Sequence, residues 1–224
     1  MKDSIKDKIT LYQTFMFTPK ITKETINSLP IIHFEGEISI IDDALKVGPA
    51  IEALRKHSIV GIDTETKPTF AKGRRNKISL IQISTLEHCY LFRLNHIDFP
   101  KPLIDFLTDD KIKKIGLALR DDMNGLNRHR KFKPSNTVDL QNIVKSYGIM
   151  ELGLQKIYAI VFGQKISKSQ QLSNWENHEL TEQQQRYAAT DAWACLRVYL
   201  KLQKEKILTE KEIEQLSIVN DANQ

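Results

Sequence analysis

An apolar run that ends in two acids constrains the fold of this chain more than any other feature. The segment IVGIDTET (59–66) begins with β-branched residues that favour a buried strand. Asp63 and Glu65 follow two residues apart, so their side chains point to the same face of that strand. Two carboxylates that share a face repel each other. The sequence therefore predicts a site at the end of a core strand where something offsets this repulsion.

Strand-like and helix-like segments are mixed along the rest of the chain. Short polar links join the first core strand to the two strands after it, which favours antiparallel neighbours. A capping box at Thr181 and Gln184 predicts the start of a long last helix. We predict strands at 31–42, 59–65, 78–84, 89–94, 111–119 and from 137, and helices at 49–57, 102–109, 119–130, 152–163 and 180–205.

Composition places the chain among ordinary globular proteins. It has 224 residues, of which 41% are hydrophobic and 27% are charged, and this suits one domain with a sizeable core. The net charge of +5 is compatible with a polyanionic partner but is weak evidence for one. Cys89 and Cys195 lie far apart in apolar segments, which predicts buried free thiols in a reducing compartment.

The ends of the sequence differ from its middle. We predict an N-terminal extension at 1–28, a single domain at 29–206 and a C-terminal tail at 207–224, because the first segment is charged and patchy. The segment MKDSIKDKITLYQ is too charged for a signal peptide, and no run of 18 apolar residues occurs. We therefore expect no membrane span and a cytoplasmic location.

A third acid lies on the apolar face of the long helix. Tyr187 and Asp191 are four residues apart and share that face with Cys195 and Val198. A buried Asp is costly unless a partner compensates its charge. Taken alone, Asp191 is also explained by a salt bridge to a nearby basic residue.

A fourth acid follows the strand at 111–119. Helical periodicity places Asp122 on the apolar side with Leu119 and Leu126, whereas Asp121 points toward solvent. An acid at the start of a helix is also stabilised by the helix dipole, by about 0.3–1 kcal/mol. That explanation serves for one residue but not for four inward-facing acids.

Divalent cations would offset the repulsion among all four acids. Mg²⁺ and Mn²⁺ prefer oxygen ligands such as carboxylates. Two such ions, about 3.5–4 Å apart, stabilise the attacking and leaving oxygens of a phosphodiester in many nucleases. The order D-x-E, then a single Asp, then Y-x-x-x-D is a sharper signal than any acid alone.

Three motifs in this order resemble one known family. VGIDTET, IGLALRDDMNGL and YAATD are similar to the motifs of the DEDD superfamily of 3′–5′ exonucleases, and the resemblance covers residues 35–203. In the second motif the family spacing falls on Gly116, Asp122 and Leu126. The chain resembles the tyrosine branch, which includes Werner-like and ribonuclease D-like members, because Arg186 stands where the histidine branch has His.

The resemblance implies an α/β, RNase H-like fold with a mixed five-stranded sheet flanked by helices. It also implies two divalent ions, Mg²⁺ or Mn²⁺. Asp63, Glu65 and Asp191 would hold the tighter ion, and Asp63 would bridge to a second ion that Asp122 reaches. Tyr187 would orient the attacking water, because a phenol with a pKa near 10 is a poor base at neutral pH. Products would be nucleoside 5′-monophosphates.

Several residues near the acids are candidates for contact with a nucleic-acid 3′ end. The basic segment AKGRRNK (71–77) is either a phosphate-binding loop or a solvated hairpin turn. Trp175 either stacks on a base or caps the core, and the second basic run (128–133) is interpreted as a solvated face. The predicted substrate contacts are Thr64, Thr66, Lys72, Arg74, Arg75 and Trp175.

Two other functions are compatible with parts of this pattern. A catalytically silent nucleic-acid-binding or adaptor domain would share the fold, but it would be expected to lack one of the four acids. A metal-dependent phosphatase would explain the acids but not the ordered motifs. The sequence thus favours a 3′–5′ exonuclease, and it leaves open DNA or RNA as substrate and the oligomeric state.

Overall fold

The computed structural model describes residues 16–69 and 76–221. Within them, the strands are β1 (Ile31–Ile32), β2 (Glu37–Ile41), β3 (Ile59–Thr66), β4 (Ile78–Ser84), β5 (His88–Arg93), β6 (Lys113–Gly116), β7 (Thr137–Asp139) and β8 (Lys165–Ile166). The helices are α1 (Lys23–Ser28), α2 (Ala44–Leu54), α3 (Leu94–Ile97), α4 (Lys101–Thr108), α5 (Leu119–Leu126), α6 (Leu140–Ile143), α7 (Leu154–Phe162), α8 (Glu182–Leu202) and α9 (Glu210–Asp221).

Among the described strands, six form one mixed sheet in the order β2-β5-β4-β3-β6-β7. The pairs β3-β4 and β4-β5 are antiparallel, as the short links predicted, and the other pairs are parallel. The five-stranded sheet that the resemblance implied is therefore one strand too few. β7 begins at Thr137, where a strand was predicted, and its three residues pair with β6 from Lys114↔Thr137 to Gly116↔Asp139.

The predicted strand at 31–42 is two strands in different sheets. β1 pairs with β8, whereas β2 pairs with β5. Between them the chain bonds to α8: the Phe34 amide donates to Thr190 Oγ1 at 3.0 Å, and Arg186 Nη1 donates to the Phe34 carbonyl at 2.9 Å. Periodicity cannot show this break, because the partners lie about 150 residues away in sequence.

Two predicted element boundaries also differ from the structure. α2 begins at Ala44 and not near Pro49, because the Asp43 carboxylate accepts a hydrogen bond from the Leu45 amide at 2.8 Å and caps the helix. β6 ends at Gly116, earlier than predicted. Ala118 then adopts a left-handed conformation (φ 56°) immediately before α5.

Helices cover both faces of the sheet. α2, α4 and α5 pack on one face, where Val60 and Ile62 of β3 lie in the core. α7 and α8 pack on the other face. Each face of the sheet therefore has its own apolar core.

The predicted capping box starts α8. The backbone amide of Gln184 donates to Thr181 Oγ1, and the backbone amide of Thr181 donates to Gln184 Oε1.

Both ends of the described chain contribute buried side chains. Phe17 and Ile26 are buried, although residues 1–28 were expected to lie outside the core. The predicted tail contains α9, and its Leu216 is buried. The domain limits themselves remain a prediction.

Two other predictions concern the thiols and the membrane. Cys89 and Cys195 are free and buried, as predicted. In the part of the chain that the structure describes, no helix has both the length and the apolar character needed to span a bilayer.

Substituting Gly61→Ala tests the closest contact between the sheet and α8. A Cβ at this position would lie 1.9 Å from the Ala192 carbonyl oxygen, so α8 must move. We expect a loss of about 1–3 kcal/mol in the free energy of unfolding, measured by denaturant titration. Gly153→Ala is the control, because nothing lies within 4 Å of a Cβ there. Equal stability of the Gly61 variant and the parent chain would contradict a rigid contact.

Candidate active site

Strand β3 and helix α8 bring three acids together. Asp63 and Glu65 lie on the β3 face opposite to Ile62, whose side chain is in the core under α2 and α5. Gly61 lies on the same face as the two acids and contacts α8 at Ala192. Because Asp191 directly precedes Ala192, this contact places Asp191 next to Asp63 and Glu65 of β3.

The three carboxylates form a tight cluster. One oxygen from each of Asp63, Glu65 and Asp191 lies within 4.8 Å of the others, and Asp191 is 8% exposed. None of the ion pairs made by the described residues involves these groups. Close carboxylate oxygens without basic partners are the donor set that a hard divalent cation requires. The residues present therefore fit a metal ion.

Burial and mutual repulsion disfavour the charged forms of these acids when no cation is bound. Burial raises the pKa of Asp63 well above its usual range, with further increases from Asp122 and Asp191. Burial, and then the charge of Asp63, raises the pKa of Glu65 to about 10. Burial raises the pKa of Asp191 to about 7. The cluster thus stores electrostatic repulsion that a cation would relieve.

Asp122 lies beside this cluster and not within it. Thr64 Oγ1 donates to Asp122 Oδ1 at 2.5 Å, which joins the start of α5 to β3. Burial raises the pKa of Asp122 to about 6, although the hydrogen bond from Thr64 opposes the increase. Asp122 is half-buried and Asp121 is exposed. Helix α5 begins at Leu119, which is the start that the face assignment from periodicity requires.

Tyr187 lies one turn before Asp191 on α8 and interacts with its carboxylate. Burial, followed by the charges of Asp191 and Glu65, raises the pKa of the Tyr187 hydroxyl further above its usual range. The Trp175 ring lies 6.0 Å from the Tyr187 ring, centroid to centroid, and is 0% exposed. Trp175 therefore caps the core behind Tyr187, and in this structure it offers no face on which a base could stack.

The other predicted substrate contacts divide into two groups. Thr64 and Thr66 line a cavity of about 350 Å³ together with Glu65 and Asp122. Arg128 also lines this cavity, although its basic run was interpreted as a solvated face. The predicted contacts Lys72, Arg74 and Arg75 lie outside the described residues.

Sequence reasoning missed Lys168 altogether. It lines a second cavity, of about 230 Å³, together with Asp63, Tyr187 and Asp191. Its positive charge acts against burial and lowers the pKa of Asp191. No motif marks Lys168, and only the packing of the β8 segment against α7, whose first residues line the same cavity, brings it near the acids.

Replacing Asp63 with Asn should stabilise the chain in the presence of a chelator. Below pH 3.8, the ordinary pKa of an Asp, this carboxyl is protonated in both the folded and the unfolded chain. As the pH rises through the raised pKa of the folded state, the parent chain loses the stability that the protonated carboxyl contributed. The amide does not titrate. We therefore expect the melting temperature of Asp63→Asn to exceed that of the parent chain by a margin that grows with pH.

Thermal melting in EDTA, from below pH 3.8 to neutral pH, measures the difference in melting temperature between Asp63→Asn and the parent chain. Asp110→Asn is the control, because Asp110 is exposed. A lower melting temperature for Asp63→Asn at neutral pH would mean that Asp63 has a stabilising partner and is not repelled by its neighbours.

Comparison with known proteins places this site in a family. A family model described as 3′–5′ exonuclease matches residues 38–207. The bifunctional 3′–5′ exonuclease/ATP-dependent helicase WRN of Mus musculus is 32% identical over 186 residues, which cover 79% of this chain and 13% of WRN. The chain thus spans about an eighth of the length of that relative.

Solved structures share the fold. The Nibbler EXO domain of Aedes aegypti superposes with a TM-score of 0.70 at 22% identity, covering 83% of this chain and 99% of that domain. RNase D of Escherichia coli gives a TM-score of 0.67 at 24% identity, covering 84% of this chain and 51% of RNase D. Similarity at this identity establishes the RNase H-like fold alone. The match to the family model over residues 38–207 shows that the chain belongs to the DEDD superfamily of 3′–5′ exonucleases.

Proposed function

We propose that this chain hydrolyses nucleic acid from the 3′ end and releases nucleoside 5′-monophosphates. The observation that carries the proposal is the cluster of Asp63, Glu65 and Asp191 within 4.8 Å, without a basic partner among the described residues. A catalytically silent binding domain has no use for three carboxylates whose repulsion costs stability. All four acids of the sequence motifs are present, which favours the enzyme over the silent alternative.

The ions that suit this donor set are Mg²⁺ or Mn²⁺. Asp63, Glu65 and Asp191 would hold one ion, and Asp63 with Asp122 would hold a second. When bound, the ions supply a water of lowered pKa and neutralise charge on the scissile phosphate. Thr64 keeps the Asp122 carboxylate turned toward β3 through its hydrogen bond.

Tyr187 acts as a neutral group. Because the pKa of its hydroxyl is raised, the phenol keeps its proton at neutral pH and orients a water by hydrogen bonding. Trp175 packs against Tyr187 and restricts the ring. Tyr187 therefore positions the nucleophile but does not remove its proton.

The substrate strand would lie across the acids between the two cavities. Thr64, Thr66 and Arg128 line one cavity, beside Glu65 and Asp122. The other cavity adjoins Asp63, Tyr187 and Asp191. Cavities on both sides of the cluster allow the terminal nucleotide to occupy one and the rest of the strand to occupy the other. DNA and RNA are both candidate substrates, and the cytoplasm remains the predicted location.

The test of the proposed function is degradation of 5′-labelled DNA and RNA oligonucleotides. We expect a ladder that shortens from the 3′ end with Mg²⁺ or Mn²⁺ and no shortening in EDTA. The Asp63→Asn chain, which removes one shared ligand, is the inactive control. Cleavage of thymidine-5′-monophosphate p-nitrophenyl ester without any cleavage of oligonucleotides would favour a small-molecule hydrolase and overturn the proposal.

A second prediction separates the two adjacent acids of α5. Asp122→Asn should lower kcat by orders of magnitude, because Asp122 is bonded to Thr64 beside the cluster. Asp121→Asn should remain close to the parent chain, because Asp121 is exposed. The two variants lose the same charge from neighbouring positions, so each is the control for the other. An inactive Asp121→Asn beside an active Asp122→Asn would reverse the assignment.

A further inference from the structure

The cavity beside Asp191 contains a positive charge that the proposed mechanism does not use. It has a volume of about 230 Å³ and lies between α8 and the start of α7. Asp63, Tyr187 and Asp191 contribute to its lining. Its other polar lining residues are Gln155, Ser167, Lys168 and Gln171.

Lys168 is the one Lys or Arg among the residues that line this cavity. Within the described parts of the chain, its ammonium group forms no ion pair within 4.0 Å. It nevertheless lines the same cavity as Asp63 and Asp191. Lys168 is therefore near the acids without being neutralised by any of them, and its charge remains available to an anion.

The backbone that carries Lys168 is fixed on both sides. Ile166, two residues earlier, is buried and pairs with Ile32 in the sheet formed by β1 and β8. Gln155 Nε2 donates to the Ile166 carbonyl at 2.6 Å, and the Gln171 amide donates to the Lys168 carbonyl at 3.3 Å. A flexible side chain thus extends from an anchored position toward the cavity.

The start of α7 adds positive potential to the same cavity. Gly153 precedes the helix and has no side chain to cap it, and Gly153, Leu154 and Gln155 all line the cavity. The first amides of a helix lack partners within the helix and favour an anion. A free anion would be repelled by the three acids, so the group that suits this place is an anion delivered as part of a larger substrate.

We propose that Lys168 binds a backbone phosphate of the substrate strand next to the scissile phosphate, so that this cavity is a subsite for the adjoining phosphodiester. The proposal rests on the proposed exonuclease function. A lysine is a point charge that binds phosphate without reading the base, so the contact would hold the strand in register for every sequence.

Steady-state kinetics on three variants test the contact. Lys168→Gln should raise KM about tenfold and change kcat less, because the lost interaction is present before the chemical step. Lys168→Arg should restore most of the loss. Lys165→Gln is the matched control: Lys165 lies three residues earlier, does not line the cavity, and donates from Nζ to the Asn27 carbonyl at 2.6 Å. We expect the KM of Lys165→Gln to stay near that of the parent chain.

Uncharged linkages identify the phosphate. Oligonucleotides with one methylphosphonate at successive positions from the 3′ end are bound to the Asp63→Asn chain, which removes turnover, and the Kd is measured by fluorescence anisotropy. At the linkage adjoining the scissile one, neutralisation should weaken binding about tenfold in the Asp63→Asn chain. It should have little further effect when Lys168→Gln is added. At other linkages, the loss of affinity from the methylphosphonate and the loss from Lys168→Gln should be independent of each other.

Three outcomes would overturn the contact. The first is a KM for Lys168→Gln equal to that for Lys165→Gln. The second is a fall in the kcat of Lys168→Gln with no change in KM. The third is that the methylphosphonate and Lys168→Gln weaken binding independently of each other at every linkage. A fall in kcat alone would mean that Lys168 acts on the acids and not on the substrate. Failure of the proposed function is distinguishable, because then the parent chain itself would not shorten oligonucleotides with Mg²⁺ or Mn²⁺.

Discussion

The contact between Gly61 of β3 and the Ala192 carbonyl of α8 brings the carboxylates of Asp63 and Asp191 together. A Cβ on residue 61 would lie 1.9 Å from that oxygen, so only a glycine permits this approach. Ala188, Ala189 and Ala192 are fully buried, and their small side chains let the helix lie close to the sheet. Because Asp191 adjoins the contact on the helix and Asp63 lies two residues beyond it on the strand, their carboxylates meet.

This approach creates an electrostatic problem that the surrounding core must support. The pKa values of Asp63, Glu65 and Asp191 are all raised, chiefly by burial, so the folded chain without cations keeps these groups in an unfavourable environment. Apolar clusters on both faces of the sheet offset that cost. The segment before α8 is also fixed, since the buried Arg93 donates to the His178 carbonyl at 2.7 Å and Trp175 is fully buried. The stability of the apolar core thus allows the fold to hold three carboxylates close together although their burial is unfavourable.

Local patterns predicted the acids because each one belongs to a regular element. The period of two residues in β3 places Asp63 and Glu65 on one face, and the helical period separates Asp122 from its neighbour Asp121. The capping box at Thr181 located the start of α8, and that start determines which face carries Asp191. These features depend only on residues that are close in sequence, so they can be predicted from the sequence without the fold.

Features that depend on distant parts of the chain were not predictable in the same way. β1 and β2 were joined in one predicted strand because their separation depends on bonds to Thr190 and Arg186. A strand was predicted from residue 137, but its place as the sixth strand of the sheet depends on pairing with β6. The sequence allowed Trp175 either to stack on a base of the substrate or to cap the core. The packing of the folded chain buries its side chain in the core. By itself, the sequence determined the acids and the faces they occupy. Only the tertiary structure decided that Lys168 lies beside them, because the packing of β8 against α7 has no signature in local sequence.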